Sequence, residues 1–203
     1  DVSFDDVYAF ELGGLRVGAG FVLAAIAARF VFPAVSPEGK QMWLRRSSPL
    51  DLKALPWSKY WTGTVPLLVL AVAITFSTSV LLQASAFMMA VSLATIVLLT
   101  FAISAMALGF GALYPRFDTE NAAQIPTSFG GMVFMMSAIV LLGVVLVLEA
   151  APVLGYLRAQ LQGLEPVPDA WMVGSFIAVT AVCLAATIIP IRLGLRRIET
   201  MEF

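Results

Sequence analysis

Five long apolar stretches, at 13–32, 61–82, 86–113, 129–149 and 170–195, alternate with short polar ones along this chain. Each is long enough to be a membrane span, since about 20 helical residues cross roughly 30 Å of hydrocarbon. The pattern predicts an all-α integral membrane protein, a bundle of about five transmembrane helices. Only residues 83–85 separate the second stretch from the third, so those two spans must form an antiparallel hairpin. The third is longer than one crossing needs, and is predicted to tilt or to extend out of the membrane at Gly109 and Gly111. The polar segments are an acidic interfacial stretch at 1–12, a basic loop at 33–60, a break at 114–128 bounded by Pro115 and Pro126, a connection at 150–169 and a tail at 196–203. Within 150–169, Leu154, Leu157, Leu161 and Leu164 recur at helical spacing, which predicts a short amphipathic helix there.

Composition sharpens this picture. The 203 residues are 60% hydrophobic and 12% charged, whereas a soluble domain is about one quarter charged. Too little charge is present to cover the chain in water. There are no histidines and one cysteine, Cys183. A disulfide within the chain is excluded, as is a histidine-based metal or acid–base site. The net charge of −1 gives no reason to expect a nucleic-acid partner. The N-terminal segment lacks the basic-then-apolar order of a signal peptide, and the start at Asp1 without Met predicts a fragment of a longer protein or a processed chain.

The distribution of charge is more informative than its sum. Six of the twelve basic residues (Arg29, Lys40, Arg45, Arg46, Lys53, Lys59) fall in or beside the 33–60 loop. That loop also carries the strongest helix-start signal, with Ser36 as N-cap, Pro37 at the first helical position and Glu38 in the first turn. Lys and Arg resist translocation, so the loop is expected on the cytoplasmic face. With five spans, Arg116, Arg192, Arg196 and Arg197 then fall on the same side, leaving Arg16 and Arg158 opposite, while the acidic residues divide nearly evenly. Trp57, Tyr60 and Trp61 suit the water–lipid boundary at the start of the second span.

Candidate chemistry within the spans is sparse. Apart from Arg16, Arg29 and Arg192 near their ends and Glu149 at the last position of the fourth, the five stretches hold no Asp, Glu, Lys, Arg or His, which argues against a membrane-embedded enzyme and against ion-coupled transport. No catalytic residue and no metal site is predicted. Thr75, Ser77, Thr78 and Ser79 lie deep in the second span, where they either line a pathway or bond back to their own helix. Met132, Met135 and Met136 read as packing rather than a metal path. Ala34–Gln41 has Gly39 and Lys40 but lacks the first glycine and the Ser/Thr of a phosphate loop. In the basic loop Met42 and Trp43 offer apolar contact, and Lys40, Arg45 and Arg46 offer charge. Docking of a cytoplasmic partner and contact with anionic lipid both remain open on these residues.

Two longer motifs are familiar. RFVFPAVSPEG at 29–39, followed by WLRRSSPL at 43–50, resembles the loop pattern of bacterial ABC exporter permeases. LYPRFDTENAAQIPTSFGG at 113–131 is similar to the second signature of the same group. The resemblance covers nearly the whole chain from Gly13 onward. It implies a type-2 exporter of six spans per permease in the bacterial cytoplasmic (inner) membrane, with this chain as spans two to six. It further implies a second permease copy or homologue, and ATP-binding subunits that carry ATP and magnesium. By position, a coupling helix would occupy Ser36–Ser47, with Ser36, Glu38, Lys40, Met42, Trp43, Arg45 and Arg46 meeting the ATPase. Ala151–Gly163 would match outer helices that cap the exit. The loop with Tyr114, Arg116, Asp118, Glu120 and Asn121 would be a cytoplasmic entry to the fifth span; read from its residues alone, it is a rigid loop in which Arg116 pairs locally with Asp118 or Glu120. The alternatives are a non-transporting scaffold that docks a cytoplasmic partner, or a fragment of a membrane-embedded enzyme.

Overall fold

A computed structural model of the chain describes residues 21–32, 54–81, 86–114, 128–161 and 170–200. Among these no strand occurs, and the chain is all-α. Helix α1 is Phe21–Phe30, α2 is Ala54–Leu81, α3 is Ala86–Leu113, α4 is Phe129–Leu161 and α5 is Ala170–Thr200. The last four are long and apolar enough to cross a membrane. The part of the first apolar stretch before Phe21 lies outside the described residues.

α3 is the axis of the bundle, with α2, α4 and α5 packed around it. From Ala102 to Ala112 every residue except Phe110 is buried, and most are Ala, Gly or Ser. Lipid tails are as apolar as leucine, so helices in a bilayer are held by close van der Waals packing, which small residues permit. Each neighbour contributes one stripe. On α2 it is Tyr60, Thr64, Leu67 and Ala71; on α4 it is Phe134, Ala138, Leu141, Val145, Glu149 and Val153. On α5 it is Met172, Val179, Cys183, Pro190 and Gly194. Steps of three, four and seven keep each stripe on one helix face. The opposite faces carry exposed Val69, Phe76, Met136, Val147, Trp171 and Ile177, as expected where the solvent is hydrocarbon.

The α3–α5 contact is closest near the helix ends that carry exposed Arg192 and Arg196, hereafter the basic end. A Cβ added to Gly109 would lie 2.5 Å from the carbonyl carbon and oxygen of Pro190, and one added to Gly194 would lie 3.0 Å from the Gly109 oxygen. The two backbones therefore touch. Gly109 lies inside the helix and inside this contact.

Several helices run beyond the apolar stretches that the sequence marks. α2 starts at Ala54, so the end of the 33–60 loop is helical. Pro56 permits this, because a proline in the first helical turn removes an N–H that had no partner. α4 runs through residue 149 to Leu161, so the helix expected within 150–169 begins as a continuation of the fourth span. α5 continues to Thr200, taking in most of the 196–203 tail.

α2 is fastened to α3 by the Tyr60 hydroxyl, which donates to the Phe101 carbonyl at 3.3 Å. Trp61 adds edge-on contacts to Tyr60 and Phe101, with ring centroids 5.9 and 6.3 Å apart. Tyr60→Phe keeps the ring and removes one interhelical hydrogen bond. It should lower stability by about 0.5–1 kcal/mol, read from thermal unfolding in detergent.

Candidate functional site

The polar and aromatic features of the bundle fall into two places. The first is at the basic end, where α1 stops. Phe32, fully buried, stacks on Phe134 of α4 with centroids 5.9 Å apart and planes at 26°. Its carbonyl oxygen sits directly against Gly111 of α3, leaving no room for a side chain there. Its ring edge lies 3.2 Å from where a Gly130 Cβ would stand, and the Tyr114 Cβ lies 2.5 Å from that same point. The Tyr114 ring meets Phe129 edge-on at 5.8 Å. One residue earlier, a Val31 methyl is 2.9 Å from the corresponding position on Gly63 of α2.

The glycines explain this convergence. Gly63, Gly111 and Gly130 each present bare backbone to a bulky partner, so three helices approach α1 and one another more closely than any larger residue allows. The start of α4 is fixed separately. Ser128 is its N-cap: its hydroxyl accepts from the Gly131 N–H at 3.3 Å, and its carbonyl accepts from the Met132 N–H at 2.9 Å. The caps and contacts thus bring together the residue before the basic loop (Phe32), the residue before the second loop (Tyr114) and the residues after it (Ser128, Gly130).

The second place is deeper in the bundle. Glu149 is 3% exposed, and the Thr95 hydroxyl of α3 donates to its Oε1. The Ser175 hydroxyl of α5 donates to the carbonyl of the preceding residue, Leu148. The hydropathy reading placed Glu149 at the end of a span and concluded that no ionisable group stands within one. The structure corrects this. α4 carries on past Glu149, and Thr95 lies about 14 Å inside the Ala86 end of α3. The signal was present in the period: Glu149 follows Ala138, Leu141, Leu142 and Val145 on the buried stripe, with Val153 after it.

Of the hydroxyls in the second span, Thr78 and Ser79 bond back to the carbonyls of Ile74 and Thr75 at 2.7 and 2.8 Å. Ser77 is exposed on the outer face, and the buried Thr75 hydroxyl has no hydrogen-bond partner among the described residues. Met132 and Met136 are exposed on the outer face of α4, while Met135 packs partly against the core. The proposed coupling residues Ser36, Glu38, Lys40, Met42, Trp43, Arg45 and Arg46 lie outside the described residues, as do Arg116, Asp118, Glu120 and Asn121. Of the loop residues Tyr114, Arg116, Asp118, Glu120 and Asn121, Tyr114 is among the described residues.

Compared with known proteins, residues 13–203 match the model of a family described as "Putative ATP-binding cassette". The chain belongs to this family. No curated protein and no solved structure matches it. The family description names the ATP-binding side, whereas the described residues here are apolar helices, four of them of membrane-crossing length. Family and helices together set the chain in an ABC transporter context as a multi-pass membrane protein.

Proposed function

We propose that this chain is the membrane-spanning permease subunit of an ATP-driven exporter, coupled through its basic loop to a separate ATP-binding subunit. The observation that carries this reading is the junction around Phe32. The helix end that leads into the basic loop is packed directly on α3 and α4 and on both ends of the second loop. A push on the loop therefore reaches the central helix through buried contacts, which is what a subunit without its own engine requires. The sequence supplies no phosphate-binding loop, so nucleotide chemistry and its magnesium are assigned to the partner. The family match supports an ABC context, and the Lys/Arg bias supports a cytoplasmic basic end in a bacterial inner membrane. The substrate-moving unit in this reading is a pair of permeases.

The reading is tested by affinity purification of the tagged chain from its native membrane. An ATP-binding subunit should co-purify. Changing Met42 and Trp43 together to Asp should abolish that association by placing charge on the apolar contact, while leaving the chain in the membrane. Retained association would remove the loop's role. ATPase activity of the pair that does not respond to any transported compound would favour the scaffold.

A further inference from the structure

Pro152 lies inside α4. Proline has no N–H, so the carbonyl four residues earlier, on Leu148, loses its helical donor. A carbonyl in hydrocarbon must find another, because no water is present to serve it. Ser175 of α5 provides it. The next residue, Glu149, is held from the other side by Thr95 of α3. At two consecutive positions α4 is thus fastened to both neighbours, immediately before the point where its own hydrogen bonding is interrupted. Beyond that point Val153 is buried, Leu154 is exposed, and a Cβ on Gly155 would meet nothing within 4 Å. The helix continues to Leu161 as an arm about 13 Å long.

We propose that Leu148–Pro152 is a hinge, and that Thr95, Glu149 and Ser175 are positioning residues that hold the arm 153–161 against the bundle at the end opposite the basic loop. Pro152 has already removed one of the backbone bonds that span this joint, so bending there costs less than in an unbroken helix. What it breaks is two side-chain hydrogen bonds, each made by a neighbouring helix. The joint lies within the bilayer, since Thr95 stands about 14 Å in from the end of a helix about 42 Å long. The arm's purpose as a gate on the exit side rests on the exporter reading; the hinge itself does not. The fastening is assigned to the hydrogen bonds that Thr95 and Ser175 donate.

The test is a spin-label distance between Gln160→Cys, near the arm's end, and Ala90→Cys on α3. It is made in the full chain in lipid nanodiscs, with Cys183 changed to Ala. The parent should give one distance. Thr95→Val and Ser175→Ala should each broaden and lengthen it by about 5 Å, the shift that an arm of this length makes on turning by about 20°. Thr95→Ser and Glu149→Gln, which keep the hydrogen bond, should retain the parent distance. Pro152→Ala restores the N–H facing Leu148, so the double variant with Ser175→Ala should return to the parent distance. Unchanged distances in Thr95→Val and Ser175→Ala would overturn the hinge. So would a shift in Glu149→Gln as large as in Thr95→Val, which would make the charge or proton of Glu149 the working group. These distances need neither nucleotide nor partner, so they remain readable if no ATP-binding subunit is found. If one is found, Thr95→Val should raise basal ATPase several-fold and abolish its response to cargo.

Discussion

Gly109→Ala should drive α3 and α5 apart and destabilise the bundle by about 3 kcal/mol or more. A methyl at this position would stand 2.5 Å from the carbonyl carbon and oxygen of Pro190 and 2.6 Å from its Cβ. Those are backbone and ring atoms, not the free end of a side chain, so relief requires moving a helix. The movement would also separate Gly194 from the Gly109 carbonyl and from Ala112, which closes the same crossing. Helix propensity alone points the other way, since Ala is favoured over Gly inside a helix by about 0.5–1 kcal/mol. Gly143→Ala, where a Cβ meets nothing within 4 Å, isolates that opposing effect and should be neutral or slightly stabilising. Thermal unfolding of both variants in detergent separates the two. If Gly109→Ala unfolds no earlier than Gly143→Ala, the close crossing is not what holds α3 to α5.

The second large effect is expected at Phe32. Truncation to Ala would empty a fully buried site between Phe134, Gly111 and Gly130. In a bilayer the unfolded reference already places the ring among lipid tails, so the water-transfer part of the loss is small. The cavity and the lost stacking remain, and they amount to about 2–3 kcal/mol. Phe32→Leu refills most of the space and should recover more than half of that stability. A functional consequence follows under the permease reading: Phe32→Ala should retain the ATP-binding partner but uncouple its ATPase from transport. A variant that unfolds like the parent would show that α1 ends against the bundle without being packed into it.

What could be read from the sequence was what depends on local solubility and local geometry. The all-α membrane class followed from apolar runs of spanning length and a deficit of charge. The run at 86–113 coincides with α3, since Pro115 disfavours helix at the residue before it and so sharpens the C-terminal edge. The back-bonded Thr78 and Ser79 were one of two open readings, since a hydroxyl four residues from a carbonyl is a property of the helix itself. Hydropathy marks the apolar stretches but not the helix ends at Ala54, Leu161 and Thr200, because a helix continues past its apolar part wherever its backbone bonds remain satisfied.

The register between helices came only from the fold. Gly109 and Pro190, Phe32 and Gly111, Thr95 and Glu149 are far apart in the chain, and nothing local marks either member as the other's partner. In lipid, no gain from burying apolar surface away from water selects which faces meet. Steric fit between small and large residues makes that selection, and so does the need of each polar group for a partner. Glu149 shows the difference most directly: its neighbours in sequence are apolar, and the Thr95 hydroxyl that meets it is delivered by another helix.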